Sequence, residues 1–137
     1  MEPTLVGAYW DRHADTAKLT LGQMQAAKLS QATARAAVNL CLVRRANRDG
    51  HVMRSFEIPA VGGFMIAEDT AEHREIFGPE GECVLYFAGP IEAAAKTKWA
   101  LAHPDDRRRM AKECHRRITS GAHTYGDRLH TMLEAIR

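Results

Sequence analysis

The fold is decided by Val38-Asn39-Leu40-Cys41-Leu42-Val43, a polar loop from Arg44 to Gly50, the segment His51 to Val61, then Gly62-Gly63 and Phe64-Met65-Ile66-Ala67. The first six residues are apolar almost without interruption and read as a strand. His51 to Val61 reads as a helix, with Val52, Phe56 and Ala60 among its apolar positions. The glycine pair closes it, and Pro59 is expected to bend or shorten it. Phe64 to Ala67 resumes as a strand. Strands that are apolar at consecutive rather than alternate positions, joined through a helix, are the pattern of a parallel sheet covered on both faces.

Working outward, the alanine-rich stretch Ala26 to Ala37 predicts a helix feeding that first strand. Further upstream, Leu5 to Trp10 reads as a buried strand ending in a loop, and Lys18 to Leu21 as a second short one. Downstream, Thr70 is placed to cap a helix from Ala71 to Phe77 with Glu72 in its first turn. Cys83 to Phe87 is a strand, and the remainder is helical. Pro90 to Ala102 forms one helix, and Pro104, followed by Asp105-Asp106, starts another that runs to Gly121. The tail from Tyr125 to Ile136 puts Leu129, Met132, Leu133 and Ile136 on one face. Together these predict a three-layer, Rossmann-like α/β domain with a parallel sheet flanked by helices, a single domain over residues 1–137, with no internal repeat or linker.

Composition narrows the function. The chain has 137 residues and a formal net charge of +2, too little to mark a nucleic-acid surface. The basic stretch around Arg107-Arg108-Arg109, Lys112, Arg116 and Arg117 has acids interspersed and no aromatic platform, so it reads as a solvated helix face. No run of about 18 apolar residues offers a membrane span. Met1-Glu2-Pro3-Thr4 lacks the basic stretch and apolar core of a secretion signal, so a cytoplasmic location is expected. Cys41, Cys83 and Cys114 are far apart and set in apolar or helical stretches, the pattern of buried free thiols. His115, His123 and His130 have no acids at ligand spacing, so no metal site is expected. Ser55 and Ser120 lack the tight glycine-flanked turn of a nucleophile elbow. Trp10 reads as a core residue before it reads as a base-stacking platform.

The ligand of such a sheet is expected at the carboxyl ends of its strands, which points to the loop Arg44–His51. Asp49 lies in that loop and Glu57 eight residues on. Eight residues are a little over two helical turns, so Glu57 is expected on nearly the same side as Asp49, about 12 Å further along. The backbone amides of Gly50 to Met53 would then suit a phosphate, with Arg44, Arg45, Arg48, His51 and Arg54 around them. Spacing alone leaves simpler readings open. Glu57 also fits a helix-face acid paired with an arginine, Asp49 a turn-forming or capping acid, and Gly62-Gly63 a plain helix end.

Asn47-Arg48-Asp49-Gly50-His51, followed by Met53-Arg54-Ser55-Phe56-Glu57-Ile58-Pro59-Ala60-Val61-Gly62-Gly63-Phe64-Met65-Ile66-Ala67-Glu68, resembles the signature of the spore-maturation CgeB-like group 1 glycosyltransferases. Glu72-His73, Ile76-Phe77, Val84 to Phe87, Leu101-Ala102-His103-Pro104 and His123-Thr124-Tyr125 follow in the order similar words take in that family. The resemblance runs from about Leu5 to the carboxyl end and is strongest over residues 39–73. It implies the carboxy-terminal half of a GT-B fold and a nucleoside-diphosphate sugar as donor, with no metal or other cofactor. It also implies transfer that retains anomeric configuration. It assigns catalytic roles to Asp49, facing the transferred sugar, and Glu57, gripping the ribose. Arg48, Gly50, His51, Met53, Arg54 and Glu57 become the donor-binding set. Asp49 departs from the family's usual glutamate by one methylene.

Measured against the family, the chain begins at the second strand of its domain. The resemblance therefore implies that a first strand, a first helix and an amino-terminal acceptor domain lie outside it, and that the chain alone is inactive. Exposed sheet edges and the apolar tail helix would then favour a homodimer. Two other readings stay open: a non-catalytic binding or assembly module, including a pseudoenzyme remnant, and a different doubly wound nucleotide binder.

Overall fold

The computed structural model describes residues 3–121 and 123–136, Arg45 by its backbone alone. Met1 and Glu2, where the amino-terminal reading starts, lie outside the described residues. Met1–Ala32 and Thr33–Arg137 form two compact units.

The first unit holds little regular structure. Leu5 makes one parallel bridge to Thr20, its amide bonding the Leu19 carbonyl at 3.0 Å and its carbonyl accepting from Leu21 at 2.9 Å. The strands expected over Leu5–Trp10 and Lys18–Leu21 do not form beyond that bridge. Tyr9 sits in the left-handed region at φ 74°, and Trp10–Arg12 turns into a short 3-10 helix before α1, Ala14–Ala17. No residue of either helix is buried, and Trp10 is exposed rather than core. An apolar run without a covered neighbour gains little by extending. The division between the units falls inside α2, Ala26–Arg35.

The second unit is the α/β domain. Its sheet comprises β1 (Asn39–Cys41), β2 (Met65–Glu68) and β3 (Leu85–Phe87), parallel and in that spatial order. The register sets Leu40 beside Ile66 and Ala67 beside Tyr86. Every residue of β2 and β3 is buried, as consecutive apolar strands require; β1, at one edge, buries only Cys41. β1 and β3 are shorter than their apolar runs, and β2 is shifted by one residue to end on Glu68.

Alternate side chains of the strands feed two separate cores. Cys41, Met65, Ala67 and Tyr86 pack with Ile58 of α3 (Arg54–Ala60), Phe77 of α4 (Ala71–Phe77), and Cys114 and Ile118 of α6 (Pro104–Ser120). On the opposite face Ile66, Leu85 and Phe87 pack with Ala93 and Ala100 of α5 (Pro90–Ala102) and with Met110 of α6. The expected three layers are therefore present, and α6 contributes to both outer ones. Its His115 ring bonds the Pro59 carbonyl at 2.9 Å, holding α6 against α3. The three cysteines are free and buried.

The two edges of the sheet differ. Along β3, the Tyr86 amide bonds a Glu80 carboxylate oxygen at 3.0 Å, while Lys96 bonds both Glu80 and the Tyr86 carbonyl, so an ion pair occupies ladder groups a further strand would use. Leu40 of β1 and Leu42 just after it are 49% and 55% exposed.

Helix ends follow their sequence signals. Thr70 caps α4 by accepting from the His73 amide, and Pro90 and Pro104 open α5 and α6. Thr124 and Asp127 form a capping box at the start of α7, Tyr125–Ala135, none of whose residues is buried. The helix expected over 51–61 is shorter at both ends. It closes through paired bonds, Gly62 N–H to Pro59 O and Gly63 N–H to Ile58 O, both 3.0 Å, with Gly62 at φ 77°. That is a Schellman ending, and it needs a residue that tolerates the left-handed region. Gly62→Ala meets open space yet adopts a strained backbone; we predict a loss of about 1 kcal/mol of stability in urea unfolding.

Candidate functional site

β1 and β2 end side by side, and the segments leaving them frame a shallow concavity of about 370 Å³. Val43, Arg48, Asp49 and Gly50 line it from the loop after β1; Glu68, Asp69, Thr70 and Glu72 line it from the end of β2 and the start of α4. This is the sheet end at which a doubly wound domain binds its ligand.

Each wall has a local cause. After β1 the chain turns through a 3-10 helix at Arg45–Asn47, closed by the Asn47 and Asp49 amides bonding the Arg44 carbonyl at 3.0 and 3.3 Å. Arg48 then occupies the left-handed region at φ 56°, uncommon for a residue with a side chain. Glu68, largely buried, accepts the Val43 amide at 3.1 Å, joining the two strand ends. Asp69 takes a two-pronged bond from Arg74, 2.6 and 2.7 Å, which holds its carboxyl below the usual carboxylate range. The Glu72 carboxylate lies against the Cα of Gly50, where an added Cβ would fall 1.9 Å from it.

Beneath this surface runs a buried polar chain. The Nδ1 of His73 is 2.7 Å from the Glu68 carbonyl, which can only accept, so Nδ1 carries the ring proton. The Nε2 is then the acceptor for Ser55 O–H at 2.8 Å. Ser55 Oγ accepts the Val52 amide at 3.1 Å and faces the Cys41 thiol at 3.5 Å, which donates because the serine proton is already committed. Both Ser55 and His73 are 0% exposed. Burial pushes the His73 pKa down and the Cys41 pKa up, so both stay neutral. A serine and histidine this close suggest a nucleophile and its base. Here, though, neither reaches solvent, and the histidine is oriented by a carbonyl rather than a carboxylate. Their role is to satisfy one another and Val52.

That chain corrects the expected helix start. Ser55 accepts the Val52 amide on its hydroxyl and donates its own amide to the Val52 carbonyl at 2.9 Å, so the chain is helical only from Arg54. Gly50, His51 and Val52 lie outside the helix, and the Val52 amide is not free for a phosphate. The eight-residue spacing of Asp49 and Glu57 therefore does not translate into a shared helix side.

Of the expected site residues, the structure brings Arg48, Asp49 and Gly50 into the concavity. His51 is exposed and meets Phe56 edge-on at 5.4 Å. Met53, Arg54 and Glu57 are exposed on and just before the first turn of α3 and do not line it. Glu68, Asp69, Thr70, Glu72, Ser55 and His73 were not singled out from sequence as site-forming. The first four were findable, because the rule that directs attention to strand ends applies to β2 as well as to β1. Ser55 and His73 had no such signal.

The lining carries the carboxylates of Asp49, Glu68, Asp69 and Glu72 beside the Arg48 guanidinium, with Asp69 also paired to Arg74. Such a surface offers acceptors to hydroxyl groups. Among the described residues no group of three or more potential ligands is arranged to hold a metal ion. Nor is any helix among them long and apolar enough to cross a membrane.

A family model described as glycosyl transferase-like matches residues 2–134, nearly the whole chain. The chain belongs to the glycosyl transferase-like family. Its parallel sheet flanked by helices is the architecture expected of a Rossmann-like glycosyltransferase domain. No curated protein matches the chain.

Two predictions follow from the buried chain of this glycosyltransferase-like domain. Ser55→Ala strands the Val52 amide and His73 Nε2, and should cost about 1–3 kcal/mol in urea unfolding. A histidine whose pKa is lowered by folding contributes stability that is complete above its unfolded value and is lost as pH falls. Thermal unfolding should therefore weaken below about pH 6.5. That decline should flatten in His73→Gln, while the carboxylates lowered by ion pairs act only in more acid solution.

Proposed function

We propose that this chain is the donor-binding, carboxy-terminal half of a two-domain GT-B glycosyltransferase of the CgeB-like kind, binding a nucleoside-diphosphate sugar without a metal. The observation that carries the reading is the concavity at the carboxyl ends of β1 and β2, lined by Arg48, Asp49 and Gly50, in a chain of this family. The acid-rich floor suits the hydroxyls of the sugar, with Asp49 nearest the reacting carbon. Arg48, His51, Met53 and Arg54 are the group assigned to the diphosphate side, and Glu57 to the ribose, on the family resemblance. Transfer would retain anomeric configuration, with donor amides and arginines stabilising the departing diphosphate.

Positioning an acceptor hydroxyl against the donor takes a second domain, so this half alone is inactive in the proposal. The exposed Leu40 of β1 and Leu42 just after it, and the apolar stripe Leu129, Met132, Leu133 and Ile136 on α7, are the surfaces offered to that domain or to a second copy. The location proposed is cytoplasmic.

One observation favours a second reading. The carboxylates of Asp49, Glu68, Asp69 and Glu72 line the concavity beside Arg48, with Arg74 paired to Asp69, and so many acceptors offer more to the hydroxyls of a neutral polyol than to a diphosphate. A non-catalytic carbohydrate-binding module has that charge balance.

Calorimetric titration with uridine and guanosine diphosphates separates the two. The donor reading expects millimolar or tighter binding of one nucleotide, weakened by about 10- to 100-fold in Asp49→Ala and in Glu57→Ala. A folded sample that ignores both nucleotides but binds a free sugar supports the module and overturns the donor site. Loss in Asp49→Ala with none in Glu57→Ala would remove Glu57 from the ribose role.

A further inference from the structure

Two of the four carboxylates that line the concavity are engaged by the protein itself. Both oxygens of Asp69 are taken by Arg74, at 2.6 and 2.7 Å, and Glu68, largely buried, accepts the Val43 amide at 3.1 Å. No described residue bonds to or ion-pairs with the carboxylate of Asp49 or of Glu72. Asp49 precedes Gly50 in the chain, and the Glu72 carboxylate lies against the Gly50 Cα. The φ of Gly50 is outside the left-handed region, so the backbone there does not call for glycine. What a side chain would lack is room, because the Glu72 carboxylate fills the place of a Cβ. The Gly50 carbonyl accepts from Thr70 Oγ1 at 2.6 Å, and Thr70 caps α4, whose first turn carries Glu72. The cap brings loop and helix together, and the glycine lets the carboxylate lie across the loop at the concavity.

We propose that Glu72 is a specificity-determining residue of the concavity: with Asp49 it accepts the hydroxyls of a neutral sugar, and it turns away sugars that carry a carboxylate of their own. The inference rests on a sugar occupying the concavity, which the donor reading and the carbohydrate-binding module share. An ionised carboxylate only accepts, through two oxygens, so it suits neighbouring hydroxyls on one ring, each of which brings a proton. A uronic acid presents an acceptor-only anion to those same oxygens, and like charges placed together weaken binding. Arg48 is exposed and is assigned to the diphosphate, so the carboxylates of Asp49 and Glu72 are the groups left to meet the ring.

The contact between Gly50 and Glu72 gives two independent ways to disturb that arrangement. A methyl group at position 50 meets only the end of a flexible side chain, so Gly50→Ala moves the Glu72 carboxylate aside while the charge and the Thr70 bond stay in place. Glu72→Gln does the converse, removing the charge while keeping the length of the side chain and one acceptor oxygen. A carboxylate that acts on the sugar from a defined position responds to both changes. An acid that serves only the first turn of α4 alters sugar preference in neither.

The test is titration of the whole chain with hexose and hexuronate, each as the conjugate of uridine or guanosine diphosphate by calorimetry and as the free sugar by NMR. Wild type, Glu72→Gln, Gly50→Ala and the double variant are compared. Wild type should prefer the neutral sugar by about tenfold or more. Each single variant should narrow that preference to about two- to threefold, and the double variant no further, because both changes remove the same contact. A preference seen in the nucleotide-linked pair supports Glu72 at a donor sugar. A preference confined to the free sugars, with no nucleotide conjugate bound, removes the donor site and keeps the role of Glu72 in a carbohydrate-binding module. Equal binding of neutral and acidic sugars by wild type, a preference that both single variants retain, or no sugar bound in either form overturns the proposal.

Discussion

The His73 imidazole is bonded through both ring nitrogens with no solvent contact, and that arrangement joins four pieces of chain that sequence keeps apart. Its Nδ1 fixes the last turn of β2, its Nε2 fixes the start of α3, its backbone amide shares the cap of α4, and its carbonyl receives a hydroxyl from β3. Buried polar groups of this kind are costly when any member is left without a partner, so such a chain tends to be whole or absent. Its completeness, together with Val52 packed against the core, is why the segment 44–52 presents a defined wall to the concavity.

The chemistry of that wall and the expectations drawn from the family meet only in part. Arg48, Asp49 and Gly50 line the concavity, whereas Glu57 stands exposed on α3. The family assignment treats Asp49 and Glu57 as two points on one ligand; the structure separates them by a non-helical turn at His51 and Val52. A donor that touches both would have to run from the concavity over that turn, past the exposed His51 and Arg54. The acid-rich floor bears on the same question, because it is better suited to the hydroxylated end of a sugar nucleotide than to its phosphates.

How much could be read without coordinates depends on the range of the interaction concerned. The parallel sheet was legible in residues 38–87, because burial on both faces makes strands apolar at every position, a signal carried by the strand itself. Caps at Thr70, Pro90 and Pro104 were legible for the same local reason. Leu5 to Trp10 misled: it has the composition of a buried strand, but burial needs a neighbouring surface, which composition does not report. The helix start at Arg54 was missed because Ser55 bonds backward to Val52 only while His73, eighteen residues on, holds its hydroxyl. The loop was identified from the topology of such sheets, and half of its partners, Glu68 to Glu72, sit across a strand boundary from it.

α6 supplies Met110 to the core on one side of the sheet and Cys114 and Ile118 to the core on the other. The two apolar layers thus share one structural member, beside α3 and α4 on one face and α5 on the other. Detaching α6 would open both cores at once, which couples their loss in unfolding.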